Sequence, residues 1–439
     1  MRKFARFRSD MVFRSRFFRH IFTLFSGSAL AQAANFGIYF VVAQLYTPED
    51  FGYFALYTAT VLIAADMSNA RYDLSILLPK EEAASDDLVR LCLSIALALS
   101  VFSAAMIYIV RIPQMIFPEN GIMVFHFLFF PLSLFLIGAI QPLTNLMNRL
   151  QQYRHLTISK ILQVLLMGLA TIGMGLAGET GKGLLYGFVA GQLGTVIYLF
   201  ITAVIYKKDI LKNFSVRAMK LQAREYSYFP RYSITSAVLN TASRQSPVYL
   251  LGLYFGLPVA GSFNMAFRLL AAPVMLVAQS YGQVFYERAA KLHQKRQSDF
   301  PLFIWRNVRN LFLMGLVPLL VIMIWGVELT VLLLGEKWMD AAYFIQYLAP
   351  WTLMLFILNP LSYVLNIKMK LRNELLYNIL LFIARLGILI LGGYYWSAEN
   401  TVAGYSVVGV VFSIMLLLYI LHISGFRFAS FKLLWKGSK

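Results

Sequence analysis

Charge is scarce in this chain. Asp, Glu, Lys and Arg together make up 13% of 439 residues, about half the roughly 25% of soluble domains. Cys92 is the only cysteine, so no intrachain disulfide can form. His20, His126, His155, His293 and His422 are scattered without metal-ligand spacing, so no metal and no cofactor are expected. No GxSxG nucleophile elbow occurs, and nothing else assembles a catalytic constellation, so enzymatic activity is not expected. Long hydrophilic stretches are missing too. The longest, at about 207–228, is too short for an extramembrane domain, which places any chemistry in or at a membrane.

What remains is apolar. Hydrophobic residues form 59% of the chain, and a hydrocarbon core of about 30 Å takes about 20 of them as helix. Twelve segments have that length, at about 21–46, 52–78, 88–110, 121–147, 156–178, 184–206, 229–255, 259–285, 306–326, 341–366, 372–396 and 401–423. Their apolar runs are continuous, not alternating, which argues against a β-barrel. The chain reads as an all-α membrane protein of twelve transmembrane helices. Its order is a basic N-terminal segment (1–20), a six-helix lobe (21–206), a cytoplasmic linker (207–228), a second six-helix lobe (229–423) and a cytoplasmic tail (424–439).

The formal net charge is +19. On a soluble protein this would point to nucleic acid. Here the positive-inside rule accounts for it, and no nucleic-acid partner is expected. Alternate loops collect the cations: Arg2 to Arg19, Lys80 and Arg90, Arg149 and Arg154, Lys207 to Arg224, Arg288 to Arg296, Lys368 and Lys370, and Arg427 to Lys439. The opposite loops hold little beyond Arg111, Lys182 and Lys337. Both termini are therefore expected in the cytoplasm. The first apolar run is too long for a signal-peptide core and lacks a small-residue cleavage site, so it is read as retained. Between Arg2 and Arg19, Arg and Phe alternate loosely, which fits a segment lying on the anionic leaflet or a topogenic tail.

The halves echo each other. Tyr46, Pro48, Gly52 and Phe54 join the first two spans, and Tyr254, Pro258, Gly261 and Phe263 join the seventh and eighth. Two halves of six spans keep one orientation, so the expected lobes are related by a pseudo-two-fold axis along the membrane normal.

Polar side chains inside spans are costly unless they meet each other or water. Ser28, Gln32, Asn35 and Tyr39 recur on one helical face of the first span. Tyr232, Ser236, Asn240 and Ser243 do so in the seventh, beside Arg244. The eighth carries Asn264, Arg268, Gln279 and Gln283, and the tenth Asn359, Tyr363 and Asn366. Interhelical hydrogen bonds explain single residues. For the stripes of the first and seventh spans a wet cavity is the favoured reading. Arg71, Arg244, Arg268 and Arg385 lie at membrane depth, where Asp66 and Asp73 are essentially the only carboxylates. Guanidinium keeps its proton and needs an anion or water. The surplus of cations points to an anionic ligand, with snorkelling or an Arg71–Asp73 contact as the alternative for Arg71. The candidate cavity residues are Arg71, Arg244, Arg268, Arg385, Gln32, Asn35, Tyr39, Asn240, Asn264 and Asn359, and Asp66 is the candidate for ion coupling.

Two glycine patterns are read structurally. Gly173, Gly175 and Gly178 spell GxGxxG inside an apolar helix with no preceding strand, so close packing or a helix end is expected instead of a dinucleotide. Gly187 and Gly191 form GxxxG, which permits close helix approach.

The stretch Leu45-Tyr46-Thr47-Pro48-Glu49-Asp50-Phe51-Gly52-Tyr53, followed by Arg71-Tyr72-Asp73-Leu74-Ser75-Ile76-Leu77-Leu78-Pro79, resembles the polysaccharide-unit (Wzx-type, O-antigen and capsule) flippases of the multidrug/oligosaccharidyl-lipid/polysaccharide exporter superfamily. Asp73 and Ser75 stand where that family commonly has Glu and Ala. The motif covers about 35 residues, while span number and the six-plus-six layout extend the likeness along the chain. The resemblance implies a bacterial inner-membrane protein that carries undecaprenyl-pyrophosphate-linked oligosaccharide from the cytoplasmic to the periplasmic leaflet by alternating access. It also implies a polysaccharide polymerase and a chain-length regulator as partners, beside the lipid bilayer. Arg71 matches the motif by position; the other arginines rest on depth and spacing. The rival readings are a drug exporter of the same superfamily, which needs an acidic cavity, and a membrane-embedded glycan polymerase or acyltransferase, which needs a large periplasmic loop or embedded catalysts.

Overall fold

The computed structural model describes residues 30–116, 120–208, 215–294, 299–368 and 370–426. The basic N-terminal segment, Ser28, part of the linker (209–214) and the tail beyond 426 lie outside the described residues, as do the side chains of Tyr232, Gln279 and Gln283. Among the described residues every regular element is helical. Eight helices among the described residues are long and apolar enough to cross a membrane, and α1 (Leu30–Leu45) and the start of α11, Leu257–Ala272, are shorter apolar helices.

Contacts divide the chain into two compact units, Met1–Tyr249 and Leu250–Lys439. The first begins with α1 and α2 (Pro48–Ala65). The joint between them is a capping box: Thr47 Oγ1 accepts from the Asp50 N–H at 3.2 Å, and Asp50 accepts from the Thr47 N–H at 2.9 Å. Pro48 occupies the first turn, where its missing N–H costs nothing. After α2 come a 3₁₀ turn (Tyr72–Leu77), α3 (Glu82–Ala104), α4 (Ile112–Ile116), α5 (Gly121–Leu128), α6 (Phe130–Arg149), α7 (Tyr153–Leu176), α8 (Thr180–Tyr206) and α9 (Val216–Glu225). The start of α10 (Ile234–Phe255) completes the unit.

Helices α7 and α8 pack closely along glycines. A Cβ on Gly191 would sit 2.7 Å from the Gln163 carbonyl oxygen, so the GxxxG pair does mark a close approach. Tyr46 reaches across from the α1 end and donates to the Thr171 carbonyl at 2.7 Å. The GxGxxG run ends α7: Gly178 has φ +84°, and the Glu179 N–H returns to the Met174 carbonyl at 3.0 Å. Beneath α2, Tyr57 and Val61 pack with Leu136, Leu185 and Val189, and the Tyr57 hydroxyl donates to Ser133 Oγ at 2.7 Å.

The second unit holds the rest of α10, then α11 (Leu257–Gln294), α12 (Phe300–Leu334), α13 (Met339–Leu361), α14 (Tyr363–Ile367), α15 (Leu371–Tyr395) and α16 (Ala398–Ile423). α13 is its centre, packed against α11, α12 and α16. α12 and α15 instead turn Val317, Leu320, Leu332, Ile379, Ile383 and Leu391 outward. Acyl chains accept such a surface as readily as a protein interior does, so these are lipid-facing helices.

Three spans expected to be continuous are interrupted. The run at 52–78 stops as α-helix at Ala65 and resumes as the 3₁₀ turn at Tyr72, the run at 121–147 divides at Phe129 between α5 and α6, and the run at 341–366 breaks at Ser362 after Pro360. Hydropathy does not register a break that polar side chains stabilise from within, and such breaks are tolerated where protein covers them.

Candidate functional site

The break after α2 follows from its residues. Asp66, Ser68 and Asn69 offer the backbone competing hydrogen bonds, and Ser68 Oγ donates to the Ala65 carbonyl at 2.7 Å. Ala70 and Arg71 then adopt the left-handed region, with φ of 47° and 60°. That conformation costs on the order of 1–2 kcal/mol per residue bearing a Cβ. Neighbouring helices hold it in place. Asn69 Nδ2 donates to Gln141 Oε1 at 3.0 Å, and Asn145 Nδ2 donates to the Asp73 carbonyl at 2.9 Å. Arg149 donates to the Ile76 carbonyl at 3.0 Å and to the Pro79 carbonyl at 2.7 Å, and Tyr72 donates to the Ala223 carbonyl of α9 at 3.0 Å.

Within this frame Arg71 Nη1 meets Asp66 Oδ1 at 3.3 Å. The other carboxylate oxygen of Asp66 accepts from Thr241 Oγ1 on α10. Nearly two turns earlier on α2, the Thr60 and Tyr249 hydroxyls stand 2.6 Å apart. Arg71 is thus paired with Asp66 and not with Asp73. Its Nε is buried without an acceptor. Asp66, the candidate for ion coupling, has both oxygens engaged.

A second cluster lies inside the second unit. Arg385 on α15 is 7% exposed. Its guanidinium stacks on Trp351 of α13 at 4.4 Å and on Tyr405 of α16 at 4.7 Å. Nε and Nη2 are buried without hydrogen-bond partners, and no described carboxylate pairs with it. Phe267 stacks on Trp351, and Phe263 lies edge-on to Tyr405. A Cβ on Gly409 would stand 2.6 Å from Trp351 Cδ1, so glycine lets the indole reach the arginine. This aromatic sleeve gives a large headgroup no direct approach to Arg385.

The remaining candidates are dispersed. On α10, Ser236, Asn240 and Arg244 are exposed at successive turns of one face. Gln32, Asn35 and Tyr39 on α1 are half-buried, and Asn35 Oδ1 is buried without a donor. Asn264 and Arg268 on α11 are half-buried, Asn264 Oδ1 again without a donor. Asn359, at the end of α13, is exposed. The structure therefore joins Arg71 to Asp66 and leaves Arg385 in its own cluster. Sequence reading missed Thr241, Trp351 and Tyr405. Thr241 is adjacent to Asn240 but off the counted stripe, and nothing local marks the two aromatics as partners of an arginine on another helix.

Apolar helices with lipid-facing exteriors, interrupted inside by charged and hydrogen-bonded joints, define a multi-pass membrane protein. A family model described as polysaccharide biosynthesis protein matches residues 41–343. The chain belongs to that family. Among solved structures it is similar to an inward-facing multidrug resistance MATE family transporter of the MOP superfamily, with TM-score 0.69, 14% identity, and 94% of this chain and 96% of that one covered. It is similar as well to the lipid II flippase MurJ in an inward closed conformation, with TM-score 0.69, 12% identity and coverage of 90% and 87%. A MOP superfamily transporter from Pyrococcus furiosus gives TM-score 0.57 at 15% identity, covering 92% and 94%. No curated protein sequence matches the chain. At these identities the structural likenesses establish the fold.

Proposed function

We propose that this chain moves undecaprenyl-pyrophosphate-linked oligosaccharide units from the cytoplasmic to the periplasmic leaflet by alternating access, in the inner membrane of a bacterium, with both termini in the cytoplasm. A polymerase and a chain-length regulator would then use the delivered units. The observation that carries this reading, within a polysaccharide biosynthesis family, is the exposed polar face of α10. Ser236, Asn240 and Arg244 project together from a helix of 22 residues, which is long enough to span a bilayer. Such a face is expensive against lipid and inexpensive against water. A hydrated route lined by amides and hydroxyls suits a sugar, because amides both donate and accept. The lipid tail never has to leave the bilayer.

Cations supply the other half of the argument. Arg71, Arg244 and Arg268 offer donors to a pyrophosphate or an acidic sugar. Arg385 adds positive potential from within its aromatic sleeve, without contact. Asn35, Gln32, Tyr39, Asn264 and Asn359 are assigned to the same route. An inside-negative potential favours outward movement of an anion by about 2.3 kcal/mol per charge per 100 mV, so two charges provide several kcal/mol without ATP. A drug exporter selecting cations is disfavoured by the same arginines.

The test replaces Arg268 and Arg385 by Ala, singly and together, in cells whose surface glycan depends on this chain. Surface polysaccharide is expected to fall below detection in the double variant at normal protein levels. Unchanged glycan in the double variant rejects the role of these cations.

A further inference from the structure

The pairing of Arg71 with Asp66 leaves the arginine incompletely used. Among the described residues its side-chain hydrogen bond is Nη1 to Asp66 Oδ1 at 3.3 Å, while Nε is buried without a described acceptor. Guanidinium binds carboxylates and phosphates best through two parallel N–H groups, so this is an arginine held by one prong. The backbone beneath it is fixed by Asn69–Gln141, Asn145 to the Asp73 carbonyl and Arg149 to the Ile76 and Pro79 carbonyls. The strain at Ala70 and Arg71 is therefore held from outside, as it is where a strained site is built for a task. The freedom that remains belongs to the Arg71 side chain.

We propose that Asp66 is a resident stand-in for the anionic headgroup: it occupies Arg71 when cargo is absent, and a pyrophosphate displaces it. Asp66 is then a specificity-determining residue, because only an anion that outcompetes a carboxylate engages Arg71. The exchange is also transmitted. Asp66 holds Thr241 of α10 with its second oxygen, and α10 carries Asn240 and Arg244 beside that threonine. Removing Arg71 from the carboxylate changes the charge against which the Thr241 hydroxyl is bonded. Loading at the α2 break is thereby felt on the helix proposed to line the route. This inference rests on the lipid-pyrophosphate reading given above, and it adds the order of events at one arginine.

The experiment is titration of the detergent-purified full-length chain with inorganic pyrophosphate at fixed ionic strength. Asp66→Asn, which keeps shape and the Thr241 bond but loses the competing charge, is expected to tighten binding about fivefold. Thr241→Val leaves the Asp66 carboxylate to Arg71 alone and is expected to weaken binding about twofold. Arg71→Met is expected to weaken it more than about tenfold. Opposite directions from two conservative variants cannot arise from misfolding. Unchanged or weaker binding in Asp66→Asn overturns the stand-in role. Binding that survives Arg71→Met overturns it too, while leaving the headgroup reading intact through the other arginines. Absence of pyrophosphate binding in the monodisperse wild type and in every variant removes both.

Discussion

A guanidinium keeps its proton at any pH a membrane protein meets, so the burial of Arg385 has consequences that can be weighed. Desolvating one ion costs several kcal/mol even after relaxation. Two N–H groups without acceptors add roughly 1–3 kcal/mol each. Against this stand two face-on aromatic contacts, worth about 2 kcal/mol each when desolvated. The balance is unfavourable to the fold. Arg385→Met is therefore expected to unfold at or above the wild-type temperature in detergent while surface glycan declines. A drop of many degrees would make the stack a structural pin and remove the reason to give it a role in transport. That an arginine lay at this depth was legible, because position in a hydropathy run is local information. Its partners were not: Trp351 and Tyr405 come from other helices, and only packing brings them together. Arg71 makes the same point. Asp73, two residues away, was the obvious partner, yet the left-handed turn at Ala70–Arg71 directs the side chain to Asp66.

The two stretches that carry the family resemblance are helix joints when seen as elements. Thr47, Pro48 and Asp50 start α2 as a capping box, and Arg71 to Pro79 contain the 3₁₀ turn Tyr72–Leu77 and the residues flanking it, which Asn145 and Arg149 of α6 hold by their carbonyls. The first was readable as turn chemistry. The second was not, since apolar residues on both sides kept the hydropathy high across the break. Glycine spacing was more informative. On α8, Gly191 meets the Gln163 carbonyl oxygen, whereas a Cβ on Gly173 of α7 would meet nothing within 4 Å. Gly191→Ala forces apart two backbones that cannot yield, at about 1–3 kcal/mol. Gly173→Ala meets no obstacle and gains about 1 kcal/mol of helix propensity. Thermal unfolding of the two variants should move in opposite directions. Equal behaviour would mean that α7 and α8 do not approach along Gly191.

At the scale of the whole molecule the proposed sidedness, with both termini in the cytoplasm, depends on which side the basic loops face. Hydropathy establishes crossings, and charge asymmetry assigns sides, because Lys and Arg near span ends resist translocation. The echo between halves is partial in its chemistry: the α1–α2 joint uses a Thr47 cap, while the α10–α11 joint turns on Gly256 at φ +92°. Sequence similarity at the two joints therefore reflects helix stops more than copied contacts. Sidedness can be measured directly. Cys92 is the only cysteine and is buried, so introduced thiols label against a quiet background. Ser215, just before α9, stands among Lys207, Arg217, Lys220 and Arg224; Glu179 lies in the short α7–α8 loop and Asn400 in the first turn of α16, both in stretches poor in cations. All three are exposed. A membrane-impermeant maleimide should reach Glu179→Cys and Asn400→Cys in cells with a permeabilised outer membrane, and Ser215→Cys only after the inner membrane is opened. The reverse pattern would put the arginine-rich loops in the periplasm and overturn the placement of both termini in the cytoplasm.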